Sequence, residues 1–304
     1  MPLLDDAGPY HDGEIALQRA AGERADAVRN ASGVVDRVIA GAVGFIARQV
    51  LAVVATIDDD GRPWCSALVG PAGSFTVLDP STLTIGPRAA STPDDPLWNN
   101  LRDDPRLGLL FIEMGSRRRY RVNGRVEGVD GNALAIRVSE AYPNCPKYIQ
   151  RRHVVFGCDH DDATAVDAGT RLGDRQQAII TAADTVFVAS ANPQGHLDAS
   201  HRGGRPGFVR AKGHALWIPD FAGNGMFNTL GNLAVHARAG LLFVNFADGE
   251  TLQLTGTTDI HLDADPDDTG GTGRAWTFTT TAWRRSRLSA TVHAEFLDAS
   301  PHNP

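Results

Sequence analysis

The chain has 304 residues, 42% hydrophobic and 21% charged, and a net charge of −7. That length admits two ordinary domains, and the composition is that of a soluble globular protein. The acidic balance argues against a nucleic-acid or membrane-surface partner.

Three cysteines, Cys65, Cys145 and Cys158, lie far apart with no CxxC pair. The opening MPLLDDAGPYHDGE has neither a basic n-region nor an apolar h-region. Both features point to a cytoplasmic protein with reduced thiols and no secretory signal. Residues 13–30 have helical spacing, with Ile15, Leu17, Ala20, Ala21, Ala25 and Val28 on one face. A second helix is expected over 34–48, capped by Ser32. The character then changes to β-branched and apolar. VLAVVATI (50–57) and WCSALVG (64–70) read as strands around a DDDGRP turn. FTVLD and TLTIG follow as short strands, DPLWNNL (95–101) as helical turns, and LGLLFIE (107–113) as a strand. RRRYRVNGRVEGV (117–129) is a long strand of alternating charge, and ALAIRVSEA (133–141) is another. A helical patch is expected from about Pro146.

Residues 157–173 are small and polar and read as a linker. A helix over 174–182 opens the second half. Strands are expected at TVFVASA (185–191), LDASHRG (197–203), GFVRA (207–211), HALWIP (214–219), GLLFVNF (240–246), TLQLTGTTDI (251–260) and RAWTFTTTAW (274–283). MFNTLGNL (226–233) reads as a helix, and the acidic, glycine-rich DADPDDTGGTG (263–273) as a mobile loop.

The two halves repeat one another. Gly61, Ser66, Gly70 and Gly73 match Gly195, Ser200, Gly204 and Gly207, each at a spacing of 134. Leu101, Arg106, the run GLLF from Gly108 and Gly124 match Leu233, Arg238, the GLLF from Gly240 and Gly256, each at 132. Two blocks in the same order indicate an internal duplication, and two copies of one unit pack as a homodimer would. About six short strands per unit indicate small antiparallel barrels. The expected organisation is an N-terminal helical segment (1–48), a first unit (49–156), a linker (157–173) and a second unit (174–304).

The blocks DASHRGGRPGFV (198–209), IPDFAGNGMFNTLGNL (218–233), AGLLFVNF (239–246) and LQLTG (252–256), with RRRYRVNGRV (117–126) and YPNCPKYIQ (142–150) in the first half, resemble the pyridoxamine 5′-phosphate oxidase-like, FMN-binding split-barrel family. The resemblance runs from about Gly13 to Trp283. It implies a mainly β fold with small helices (α+β), as two tandem split β-barrels forming an intramolecular pseudo-dimer with FMN in the cleft between them. It also implies an FMN-dependent oxidoreductase that moves hydride or electrons to or from a small organic substrate. NAD(P)H, a separate reductase or dioxygen would complete the cycle. A non-catalytic flavin carrier and a haem- or deazaflavin-binding barrel stand as alternatives. Either a monomer or a homodimer fits.

A flavin phosphate calls for cations, hydroxyls and backbone N–H donors. Ser200 and Arg202 fall on one face of a strand, with His201 on the other and Gly203 allowing close backbone approach. Lys212 repeats the spacing on the next strand. Asn228 and Thr229 open a short helix whose N–H groups favour an anion. From the first half, Arg117, Arg119 and Arg121 share a strand face, and Lys147 sits in the stiff YPNCPKY loop with Tyr142, Asn144 and Tyr148. The first copy has Leu68 where the second has Arg202, and Asp95 where the second has Phe227. Its phosphate site is therefore degenerate, and one FMN per chain is expected. No catalytic acid or base stands out. His153, Cys158 and His160 have no regular metal-ligand spacing, so no metal is expected.

Overall fold

The computed structural model describes residues 8–92, 94–131, 133–157, 167–288 and 292–304. The chain opens with α1 (Asp12–Ala20) and α2 (Arg24–Ala31). The single helix expected over 13–30 is broken at Gly22, whose φ of +70° lies in the left-handed region. The next helix is shorter than expected, α3 (Ala40–Ala47). Ser32 ends α2 rather than capping α3, and Val35 instead bridges to Ala141.

The first sheet contains β1 (Leu51–Ile57), β2 (Pro63–Val69), β3 (Phe75–Asp79), β4 (Thr82–Ile85), β5 (Arg106–Glu113), β6 (Arg118–Asp130) and β7 (Ala133–Asn144), with α4 (Pro96–Asp103) packed beside them. Its spatial order is β2-β1-β5-β6-β7-β4-β3. After β8 (Arg151–Phe156) and β9 (Asp167–Gly169), α5 (Asp174–Ala182) opens the second half. Then come β10 (Thr185–Ala191), β11 (Leu197–Gly203), β12 (Arg210–Lys212), β13 (Ala215–Pro219), α6 (Asn228–Val235), β14 (Arg238–Val244), β15 (Glu250–His261) and β16 (Ala275–Arg287). The second order, β11-β10-β14-β15-β16-β13-β12, is the first one repeated. The fold is two tandem split barrels. Both pairs α3/α5 and β1/β10 start 134 residues apart, so the repeated unit includes α3, a helix the spacing alone assigns to the N-terminal segment.

Alternation explains the unbroken apolar runs. In β1, Ala52 and Val54 face the first barrel's core, whereas Leu51, Val53 and Ala55 face a second core at the seam between barrels. In β10, Val186 and Val188 face the second barrel's interior, and Phe187, Ala189 and Ala191 face the same seam. A strand buried on both faces has no polar side to show.

The repeated GLLF motif has a physical cause. A Cβ on Gly108 would stand 2.2 Å from the Leu197 carbonyl oxygen, and one on Gly240 would stand 2.6 Å from that of Pro63. Each glycine lets its strand touch the other barrel's backbone. Gly124 and Gly256 mark equivalent β-bulges, where a Cβ would meet the Arg137 and Thr279 carbonyl oxygens at 2.2 and 2.1 Å.

Three further readings change. No helix starts at Pro146; the chain turns through Tyr148 (φ +66°) into β8. Strand β8 pairs with β17 (Val292–Asp298), which the sequence did not signal. The loop 263–273 is pinned rather than free: Thr269 is fully buried, and the Thr272 hydroxyl donates to the Asp220 carbonyl at 2.8 Å. Much of the expected linker, including Cys158 and His160, lies outside the described residues; β9, near its end, pairs with β16. Among the described residues no helix is long and apolar enough to cross a membrane.

Candidate functional site

A cleft of about 890 Å³, counted to its open mouth, lies where the outer face of the first barrel meets the second. Strand β6 contributes Arg119 and Arg121, and the turn after β7 contributes Cys145, Lys147 and Tyr148. Strand β11 contributes Ser200, His201, Arg202 and Gly203. The segment after β13 and the start of α6 contribute Asp220, Phe221, Phe227, Asn228 and Thr229. Five cations against Glu23 and Asp220 leave its wall positive.

Arg121 is the anchor. It is 3% exposed and spans the two barrels. Its guanidinium meets Asp198 at 3.0 Å and donates to the Tyr142 hydroxyl at 2.8 Å, to the Ala199 carbonyl at 3.0 Å and to the Ser200 hydroxyl. Asp198 also accepts from Asn123 at 2.9 Å and Asn232 at 2.8 Å. Thr229 donates to Ser200 at 3.0 Å. This end of the cleft is densely hydrogen-bonded.

The other end is not. Arg119 donates to the Cys145 carbonyl and, at 3.3 Å, to the His201 carbonyl, but its Nε has no partner among the described residues. Burial, helped by Arg121 and Arg202, pulls this guanidinium down to about 10, so it stays charged at neutral pH. Arg202 meets Asp220 at 3.0 Å, yet its Nε is also unpartnered. Asp220 is shared with Arg274 at 3.1 Å, and Arg274 reaches Glu23 at 2.9 Å. His201 is 5% exposed, and neither ring nitrogen has a partner among the described residues. Burial and then Arg119, Arg202 and Arg152 push its pKa well below the ordinary value, so the ring is neutral. Buried polar atoms left unpaired are uncommon and costly. Here four nitrogens of three residues lining one cleft are unpaired. An anionic ligand would accept from the two arginine Nε–H groups and from the one N–H of the neutral ring; the other ring nitrogen is itself an acceptor.

Helix α6 adds to this. Among the described residues no side chain caps its N-terminus, whereas its counterpart α4 is capped by Asp95, which accepts from Leu97 N at 2.9 Å. Glu14 of α1 accepts from Asn228 at 2.6 Å. Burial and then the Asp198 charge raise the Glu14 pKa to about 8.

Of the residues named from sequence, Ser200, His201, Arg202, Gly203, Asn228, Thr229, Arg119 and Lys147 line this cleft. Two do not. Arg117 follows a 3-10 turn with φ +54°, so strand alternation does not extend to it. It donates instead to the Ile149 carbonyl at 2.9 Å and pairs with Asp298. Lys212 is exposed on edge strand β12, away from the cleft. Gly203 allows a close backbone approach: a Cβ there would stand 2.1 Å from the Tyr148 carbonyl oxygen across the seam. Asp198, Asp220, Glu23 and Arg274 were not singled out from sequence. Glu23 and Arg274 are 251 residues apart, and no local pattern joins them.

The family model for pyridoxamine 5′-phosphate oxidase matches the chain twice, over residues 41–154 and 172–292. None of the curated proteins matches. Three similar solved structures are shorter chains. One from Lactobacillus delbrueckii, described as a candidate pyridoxamine 5′-phosphate oxidase, is 19% identical, with 36% of this chain and 95% of that one covered and a TM-score of 0.29. An F420 reductase is 17% identical, covering 35% and 98%, with a TM-score of 0.25. HutZ, the haem storage protein of Vibrio cholerae, is 10% identical, covering 41% and 95%, with a TM-score of 0.27. A double β-barrel with a cationic seam is the class of protein that this fold and cleft define. With one family model covering both halves, the chain belongs to the pyridoxamine 5′-phosphate oxidase-like family.

Proposed function

We propose that the protein is an FMN-dependent oxidoreductase that holds one flavin per chain in the seam cleft and acts on a small organic substrate. The observation that carries this reading is the set of unpaired nitrogens on Arg119, His201 and Arg202 around one cleft. Their donor capacity fits a phosphate-bearing cofactor, with Lys147 and the uncapped start of α6 adding positive potential. Phe208, Phe221 and Tyr148 offer apolar surface for a planar ring system.

The pseudo-symmetric position has no such set. Gln253 replaces Arg121 and donates to the Cys65 carbonyl at 3.0 Å and to Ser66 at 3.1 Å. Leu68, in place of Arg202, is fully buried in the first core. The reading is therefore one cofactor, not two.

When bound, the flavin supplies hydride or electron transfer. The chain's own residues do the rest. Arg119, His201 and Arg202 hold the anionic group, and the Arg121–Asp198 pair fixes the strands around it. NAD(P)H, a separate reductase or dioxygen would close the cycle.

The absorbance spectrum and flavin content of the purified protein test this. Flavin bands at one FMN per chain, bleached by NADH or NADPH without oxygen and restored by air, support it. Bound flavin without turnover leaves a carrier. A Soret band replaces flavin with haem, two FMN per chain overturn the asymmetry, and colourless protein that takes up only a deazaflavin shifts the cofactor.

A further inference from the structure

We propose that the seam cleft takes up its anionic ligand together with a proton, and that His201 is the residue that receives it. The proposal rests on the cofactor reading of this cleft and adds a regulation to it: occupancy falls as pH rises.

Alternation along β11 places His201 on the face of Leu197 and Ala199, which meets the first barrel. Its ring packs edge-on against Phe187, with centroids 5.7 Å apart. The charged groups around it come from every neighbouring element. Arg119 and Arg121 project from β6, and Arg202 is its own neighbour. Arg152 of β8 acts on it as well. The nearby acids are already engaged: Asp184 binds Arg152 at 2.5 Å, and Asp220 binds Arg202 and Arg274. Among the described residues no carboxylate bonds to either ring nitrogen, and both are unpaired.

A further cation is disfavoured among four guanidinium groups at a buried seam. The ring therefore stays neutral in the free protein, in line with the depression of its pKa by burial and the arginines. A dianionic group lying against Arg119 and Arg202 reverses that balance. It offsets the arginine charges and presents an acceptor to the unpaired ring nitrogens. The protonated ring has two donors and the neutral ring one, so the occupied cleft favours the imidazolium. Linkage then requires that the ligand bind more tightly where protons are available.

The test is calorimetric titration of the full-length apoprotein with FMN at pH 6.5, in two buffers of different ionisation enthalpy, for wild type and His201→Gln. The FMN phosphate titrates in both proteins, so the difference between them isolates the histidine. The wild type is expected to take up about half a proton or more in excess of the His201→Gln protein. From pH 6 to pH 8 the wild-type affinity should fall more steeply than that of His201→Gln, by up to about tenfold per pH unit. Equal proton counts and parallel pH profiles overturn the proposal.

A second measurement does not depend on the folding of His201→Gln. In wild type with labelled histidine, the His201 ring ¹⁵N shifts should move from the neutral to the imidazolium pattern on saturation; a ring that stays neutral overturns it. If FMN binds neither protein, the flavin reading falls by itself. The same titration with inorganic pyrophosphate then decides the coupling, and equal counts or no binding overturn it.

Discussion

The two halves share one topology but treat their equivalent polar positions differently. At one position β6 presents Arg121, a cation that reaches across the seam to Asp198 and Ser200. Its counterpart on β15 is Gln253, a neutral amide reaching Cys65 and Ser66. At the head of the short helix one half caps itself with Asp95 and the other leaves its N–H groups open. The frame is therefore held by backbone pairing and apolar alternation, which tolerate either choice. Among the described residues, the charge pattern of the proposed ligand cleft is found on one side only.

The largest break in this comparison should come at its clearest difference. Arg121→Ala strands Asp198 in the seam and is expected to cost about 3–5 kcal/mol in denaturant melts. Gln253→Ala leaves only neutral groups unpaired, apart from a 3.3 Å contact to Asp95, and should cost about 1–3 kcal/mol. Equal losses would mean that Asp198 is satisfied without the arginine.

Leu68→Ala and Arg202→Ala form the next pair. The first removes core packing and should cost about 2–5 kcal/mol of stability while flavin retention is kept. The second should leave the fold and weaken FMN binding by about 1.5–3 kcal/mol, read by fluorescence titration. A reversal of the two outcomes would place the phosphate in the other half.

The seam glycines test what the halves still share. Gly108→Ala and Gly240→Ala should each cost about 1–3 kcal/mol, with Gly108 the more sensitive because its contact is tighter. The last effect is a slope. Glu14 lies outside the repeated unit, and its folded pKa of about 8 lies above its ordinary 4.5. Stability from this group should thus be greatest below pH 4.5 and decline as pH rises toward 8, by at most about 1.4 kcal/mol per unit. Glu14→Gln should flatten that decline in urea melts taken across the window.

Much of this was legible in the sequence because duplication prints itself as spacing. The offsets of 134 and 132 align the strand pairs, and the SHRGG and FNTLGNL blocks point to residues that line the cleft. What stayed hidden depends on the seam. Asp198 aligns with Trp64, so the repeat gave no hint of a buried acid. Arg117 reads as part of an alternating strand, but a left-handed residue after a 3-10 turn breaks the alternation. The Glu23–Arg274–Asp220 bridge joins the N-terminal helices to the last long strand through tertiary packing alone.

The doubly buried strands also bear on how the molecule is made. While the ribosome has finished only the first half, β1 shows Leu51, Val53 and Ala55 to water, because their cover includes strands about 130 residues further on. At cellular synthesis speeds that gap lasts roughly ten seconds. For that interval the nascent chain carries a bare apolar sheet face, so the first half is expected to wait for the second, or for a chaperone, before its fold closes.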